Sequence, residues 1–401
     1  MRGTKWFISA AVAALAVGSG TVAQAALVPS GTAARHGTAL VDDLKGDLDR
    51  YLNERGVTEH VSAVSLRTTY RDRRGTVDVA AGTTRYGGRQ PVSGAALWQI
   101  GSNTKAFTSV LVLQLETEGK VSVHDRLGKW LPQYKPWRDV TIERLLNMTS
   151  GISDYANTEA FGTRISADPA TTFTAEQLVS FVSRQPVGGH GFSYSNTNYL
   201  LAQMVIERVT HDSYAHQLTK RIITPLGLRD TCYAPYTCRA NTVARMPAGY
   251  LKQAGLPALL DKPVPPLALT WAQGAGGLIS SLADMATWDR ALYEGRLLPA
   301  RQQRELRSLV SVSTSAPIKE TTATDPVGFG LGVAQHHTEA TGAVWTYVGG
   351  TLGFRTLHMY FPGSGLIIAI GVNSSTDSDA DKLPDLAQTV YQTLREHGAD
   401  R

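Results

Sequence analysis

Strand-forming sequence lies at both ends of this chain and helix-forming sequence fills its middle. That order constrains the fold more than the composition does. Residues 61–69 and 76–81 are rich in β-branched side chains and flank a turn from Arg71 to Gly75, so they read as a strand pair. Four further strand-type stretches, 329–335, 344–347, 355–360 and 366–372, come only near the end. The last two are joined by the turn Phe361-Pro362-Gly363-Ser364-Gly365. In the middle, residues 141–148, 175–184, 198–209 and 214–223 carry apolar side chains at helical spacing. Residues 40–54, 282–292, 300–309 and 385–397 read as helices around the strand blocks. A sheet divided in this way is complete only when the two ends meet. The expected class is therefore α+β: an antiparallel sheet flanked by helices, with a mainly helical lobe inserted. Residues 36–120 and 270–401 would form the sheet lobe and 121–269 the helical one, with 247–266 irregular because prolines and glycines cluster there. A cleft between two lobes is a natural place for a site.

With 401 residues and 42% hydrophobic content, the chain can bury the cores that two lobes need. Residues 1–25 read as a secretory signal peptide, from the basic start at Arg2 and Lys5, the apolar run Trp6 to Val17 and the cleavage site Ala23-Gln24-Ala25. The run is short for a membrane span, so the expectation is a secreted protein with no stable membrane span. The formal charge is +5, and without the leader 37 basic residues face 34 acidic ones, or +3. That balance is too mild to point to nucleic acid. The only cysteines are Cys232 and Cys238, and in an oxidising compartment they read as a local disulfide rather than a redox pair. No Cys/His cluster has zinc-like spacing and His336-His337 stands alone, so no metal and no other cofactor is expected.

Chemistry enters with the stretch 100–120. Phe107, Val110, Leu111, Leu113 and Leu115 give it an apolar face, and Gly101, Ser102 and Lys105 stand at its start. Positions i and i+3 share one side of a helix, so Ser102 and Lys105 can meet. By itself Ser-x-x-Lys is common, and the serine has ordinary uses as a cap or a small packing residue. A lysine with a lowered pKa within hydrogen-bond reach would make that serine a nucleophile. Farther on, Tyr194-Ser195-Asn196 precedes a helix. Its residues read as cap and packing residues, or as a proton-shuttling phenol and an amide contact for the lysine.

The combination of Ser102-Asn103-Thr104-Lys105 with Tyr194-Ser195-Asn196 resembles the serine β-lactamase and penicillin-binding-protein superfamily. The chain is most similar to the branch holding class C β-lactamases, Streptomyces-type D-alanyl-D-alanine carboxypeptidases and D-stereospecific amidohydrolases. The likeness also takes in 115–120, 145–151 and 271–277. The resemblance implies that Ser102 forms an acyl-enzyme, Lys105 accepts its proton, and Tyr194 passes a proton to the leaving group. It further implies that Asn196 holds Lys105 and the substrate amide. The N–H groups of Ser102 and of Gly350, on an edge strand, would form the oxyanion hole, and Trp271 would roof the acyl pocket. Asp154 and Tyr155 would lie on a loop beside the cleft.

One motif departs from the family. Where relatives carry His-Thr-Gly or Lys-Thr-Gly, this chain has Tyr347-Val348-Gly349, followed by Gly350. A substrate carboxylate wants cationic and hydroxyl partners; Val348 offers neither, and His336 is the candidate that remains. Tyr347 either fills the histidine's place without changing specificity, or marks a site that prefers neutral carbonyl compounds. The second reading predicts a monomeric hydrolase acting on D-amino-acid amides, esters or short peptides, with aminoacyl transfer as a side reaction. Its rivals are a D-alanyl-D-alanine carboxypeptidase, a β-lactamase-like esterase and a non-catalytic penicillin-binding module.

Overall fold

The structure is a computed structural model, and it describes residues 33–71, 75–189, 191–253, 256, 259–260 and 262–398. The leader at 1–25 and the tip of the turn at 72–74 lie outside the described residues. In chain order the strands are β1 (Ala63–Thr69), β2 (Val77–Gly82), β3 (Leu97–Gln99), β4 (Cys232–Tyr233), β5 (Tyr250–Lys252), β6 (Leu278–Ser281) and β7 (Leu309–Ser311). They continue with β8 (Pro317–Ile318), β9 (Val327–Phe329), β10 (Ala334–Thr338), β11 (Gly342–Gly350), β12 (Arg355–Tyr360), β13 (Ile367–Val372) and β14 (Ser374–Thr376). Nine of them make one antiparallel sheet in the order β2-β1-β13-β12-β11-β10-β9-β7-β8. The first strand thus pairs with one of the last: Val64 stands opposite Val372 and Thr69 opposite Ile367. The ends of the chain meet in the sheet, and the class is the expected α+β arrangement.

Strand β13 explains how the layers stack. All six of its residues are buried, because both faces of the sheet are covered. Ile368, Ile370 and Val372 face an outer core built with Leu44 and Leu48 of the helix Ala33–Glu59 and with Leu386, Val390 and Leu394 of the helix Leu383–Glu396. Ile367 and Ala369 face a larger inner core. The helix Thr104–Thr117 lies in that inner core, and its buried residues run unbroken from Thr104 to Leu113. A helix buried on every side belongs at the centre of a molecule, and the polar residues in that run, Thr104, Lys105, Thr108 and Ser109, all find hydrogen-bond partners. Against this helix pack the helices Asn196–Thr210, Tyr214–Leu218 and Ala300–Leu306, and Asn196–Thr210 in turn carries the short helices Ile142–Leu146 and Ala175–Ser180. Cys232 and Cys238 are joined by a disulfide. Among the described residues, no helix is long and apolar enough to cross a membrane.

Several elements differ from expectation. Residues 329–335 are not one strand: β9 ends at Phe329, and a turn closed by the Gly330 N–H donating to Val333 O leads into β10. Gly332 takes φ +79°, and a Cβ there would lie 2.6 Å from Ser109 Oγ and 2.9 Å from Lys105 O. The turn looked like strand because Leu331 and Val333 are apolar; they are buried under it instead. The 247–266 segment is not wholly irregular, since β5 pairs with β14. The stretch 300–309 changes from helix (Ala300–Leu306) to strand at Leu309.

Candidate active site

Ser102 sits in a 3-10 turn, Gly101–Asn103, that feeds the helix Thr104–Thr117. Two glycines let the end of β11 press against this turn. Gly101 has φ +49°, and a Cβ on it would come within 2.7 Å of Gly350 N. A Cβ on Gly349 would lie 2.9 Å from Ser102 N and 1.9 Å from Ile100 O. Distances so short leave room for hydrogen alone. Gly350 was expected on an edge strand, but β11 is interior in the sheet order. Its pairing with β10 stops at Trp345, however, so residues 346–350 pair with β12 alone and their free side meets the Ser102 turn. Asn103 ties the turn down from below, donating to Ile100 O (2.9 Å) and Thr356 O (3.0 Å).

Lys105 lies one helical turn after Ser102, fully buried, with Nζ 3.0 Å from Ser102 Oγ. Its other two hydrogen-bond partners are Asn196 Oδ1 at 2.8 Å and Ala275 O at 2.7 Å, and Nζ also lies over the Tyr194 and Tyr199 rings. As an ammonium it donates to all three oxygens. As a neutral amine it keeps two hydrogens for Asn196 and Ala275, and its lone pair points at the serine hydroxyl. Burial favours the neutral form, pulling the pKa down to about 7 while Asp154 pulls back.

Tyr194 donates to Ser102 Oγ at 2.7 Å, and Tyr347 donates to Tyr194 Oη at 3.3 Å. Burial pushes the Tyr194 phenol well above its ordinary value, against the Ser102 and Tyr347 hydrogen bonds, so it keeps its proton at neutral pH. Asn196 opens the helix Asn196–Thr210, and its Nδ2 donates to Asp154 Oδ2 at 3.0 Å. Five residues singled out in the sequence, Ser102, Lys105, Tyr194, Asn196 and Tyr347, thus form one hydrogen-bonded chain. Asp154 joins it, and so does the Ala275 carbonyl, which only a folded structure could reveal.

The remaining candidates are not hydrogen-bonded into this network. The Trp271 ring is buried in the inner core, 6.4 Å from the Phe161 ring at a tilt of 49°. Its carbonyl accepts a hydrogen bond from Tyr155. His336 stands opposite Val344, which faces the outer core, so its ring is on the other side of the sheet from Tyr347. Burial lowers its pKa to about 4, and it is neutral there. It is therefore not a cation for a bound carboxylate in this cleft. Val348 packs against the outer core too, beside Leu357.

A buried serine, a buried lysine and a phenol hydrogen-bonded to the same oxygen make, with this fold, a site of the β-lactamase-like class. The chain belongs to the beta-lactamase family, whose profile matches residues 48–392. Penicillin-binding protein 4* of Bacillus subtilis (strain 168) is 25% identical over 279 residues, 67% of this chain and 59% of that protein. Protein flp of Staphylococcus aureus (strain MW2) is 30% identical over 199 residues, 48% of this chain and 37% of that one. The chain spans less than two thirds of the length of these relatives. The crystal structure of a D-stereospecific amidohydrolase from Streptomyces sp. covers 89% of this chain and 97% of its own, with TM-score 0.69 and 27% identity. D-amino acid amidase from Ochrobactrum anthropi SV3, solved with D-phenylalanine, shares the fold at TM-score 0.74 and 23% identity, over 89% of this chain and 99% of that one.

Proposed function

We propose that this protein is a secreted D-stereospecific amidohydrolase that draws the carbonyl of D-amino-acid amides, esters or short peptides onto Ser102 as an acyl-enzyme. The observation that carries the reading is the set of contacts around Lys105. Two fixed acceptors occupy the hydrogens of its neutral amine and leave the lone pair for the Ser102 proton. Ser102 Oγ then attacks the carbonyl carbon. The backbone N–H groups of Ser102 and Gly350 receive the developing oxyanion, each such donor being worth about 3 kcal/mol in the transition state. Tyr194, which donates to Ser102 Oγ, passes its proton to the departing amine or alcohol and takes one from the water or amine that next attacks, while Lys105 returns the serine proton to Oγ as the acyl group leaves. Water completes hydrolysis; an amine in its place gives aminoacyl transfer.

Substrate class rests on two supports. The similarity to the Streptomyces D-stereospecific amidohydrolase extends over 89% of this chain. The position where carboxylate-binding relatives carry a cation holds the Tyr347 phenol, while His336 and Val348 turn to the other face. A D-alanyl-D-alanine carboxypeptidase is the second reading, favoured by the likeness to penicillin-binding protein 4*. The leader read at 1–25 and the Cys232–Cys238 disulfide support secretion. We take the protein to act as a monomer; a penicillin-binding protein homologue of Pyrococcus abyssi with this fold is octameric, and light scattering decides the matter.

The test is a panel of D- and L-phenylalanine amides and methyl esters, an acyl-D-alanyl-D-alanine peptide and a chromogenic cephalosporin. The proposal expects the D amide or ester to turn over fastest. A faster D-alanyl-D-alanine peptide would favour the second reading, and equal rates on D and L amides would remove the stereochemical claim.

A further inference from the structure

The loop at 150–156 is registered against the helix Asn196–Thr210 by three consecutive helix residues. Asn196 Nδ2 donates to Asp154 Oδ2 (3.0 Å), Thr197 Oγ1 donates to Ser153 O (2.8 Å), and Asn198 Oδ1 accepts from Ser150 Oγ (2.7 Å). Tyr155 adds two more ties, its N–H donating to Thr197 Oγ1 (3.0 Å) and its hydroxyl donating to Trp271 O, in the segment that supplies the Ala275 carbonyl. Asp154 is buried, and its second oxygen accepts the Ala156 N–H at 3.1 Å.

An asparagine amide has nearly the same shape in either of its two orientations. Flipped, Asn196 would turn its NH2 toward Lys105, and donors would face donors. Burial raises the pKa of the Asp154 carboxyl to about 6, so above that pH it is ionised and only accepts, drawing Nδ2 to itself and leaving Oδ1 for the lysine. We propose that Asp154 is a positioning residue for the catalytic base: through Asn196 it fixes an acceptor that aims the Lys105 lone pair at Ser102, and its charge sets the pH at which that base is released. This rests on the Ser102–Lys105 reading above. The titratable groups facing Asp154 are Lys105 from the nucleophile helix, Tyr194 just before the Asn196 helix and Tyr155 of its own turn. Burial keeps both phenols protonated, so Lys105 is the partner that responds. Asp154 holds the lysine pKa up against burial; without its charge, the neutral amine would persist to lower pH.

The experiment measures kcat/KM against pH for hydrolysis of p-nitrophenyl acetate by the full chain. The enzymes compared are wild type, Asp154→Asn, Asp154→Ala, Asn196→Ala, the Asp154→Ala/Asn196→Ala double variant and Ser102→Ala. We expect Asp154→Ala to lose about 10- to 100-fold on the plateau, the size of effect that losing one hydrogen bond to a charged group gives. The double variant should lose no more than about twofold beyond Asn196→Ala, because the two act as one unit. Asp154→Asn should move the acid limb to lower pH by about half a unit to one unit. Multiplying losses in the double variant, or an acid limb of Asp154→Asn that stays at the wild-type pH, overturns the proposal. If Asp154→Ala does not fold, the isosteric Asp154→Asn carries the test through its pH profile alone. Retained hydrolysis in Ser102→Ala would instead overturn the nucleophile, a result distinguishable from failure of the Asp154 role.

Discussion

Two buried cations stand on opposite sides of this sheet, and their surroundings send them to opposite fates. Arg355, at the start of β12, meets the carboxylates of Glu59 and Asp381, the latter at 2.5 Å, and donates to Ser374 O at 2.8 Å. Burial works to lower its pKa, but Asp381, Tyr51 and Glu59 more than reverse this. The guanidinium stays charged and clamps the first helix and the loop before the last one onto the sheet. Lys105 is buried as deeply, yet its partners are all neutral: a hydroxyl, an amide oxygen and a backbone carbonyl by hydrogen bond, and the Tyr194 and Tyr199 rings by contact. Its one nearby carboxylate, Asp154, stands behind Asn196 and only partly offsets burial. A buried cation given carboxylates is a clamp; one given neutral acceptors becomes a base.

The largest effect that would test this contrast is on activity. Lys105→Met should lower kcat/KM by at least about 1,000-fold, because nucleophile and base act together. It should not lower the melting temperature. The folded-state pKa of Lys105 is about 7 against an ordinary 10.5, so between those values the unfolded chain holds a proton that the folded one lacks. Stability contributed by this group is therefore missing below about pH 7 and recovers as pH rises toward 10.5. Calorimetry across that range should show the rising slope in wild type and its loss in Lys105→Met. Glu59→Gln should do the reverse, since breaking a buried ion pair costs about 3–5 kcal/mol of stability. The folded fraction should keep its kcat/KM within about twofold. A Glu59→Gln enzyme that is stable but inactive would break the comparison. The smallest effect is expected of Tyr347→Phe, which removes one neutral hydrogen bond to Tyr194, worth about 0.5–1.5 kcal/mol, and so at most about tenfold in rate.

Much of this was legible in the sequence because it depends on spacing. Ser102 and Lys105 are one helical turn apart, and β-branched residues mark β1 and β13 without reference to anything distant. What escaped depends on the other side of a contact. Burial hides the turn at Gly330 to Val333 among apolar residues that read as strand. The Ala275 carbonyl has no side-chain signature, and the sheet face of Val348 and His336 follows from register, which a one-residue shift would reverse. Asp154 was visible as a loop residue; its position behind Asn196 was not, because it depends on how that loop docks on a helix more than forty residues later.

The central claim is that Lys105 is a neutral amine at working pH. Its side-chain resonance, followed by NMR across a pH titration and assigned by its absence in Lys105→Met, tests this most directly. The account predicts a midpoint near 7, in step with the acid limb of acylation. A midpoint at the ordinary lysine value of 10.5 would contradict it.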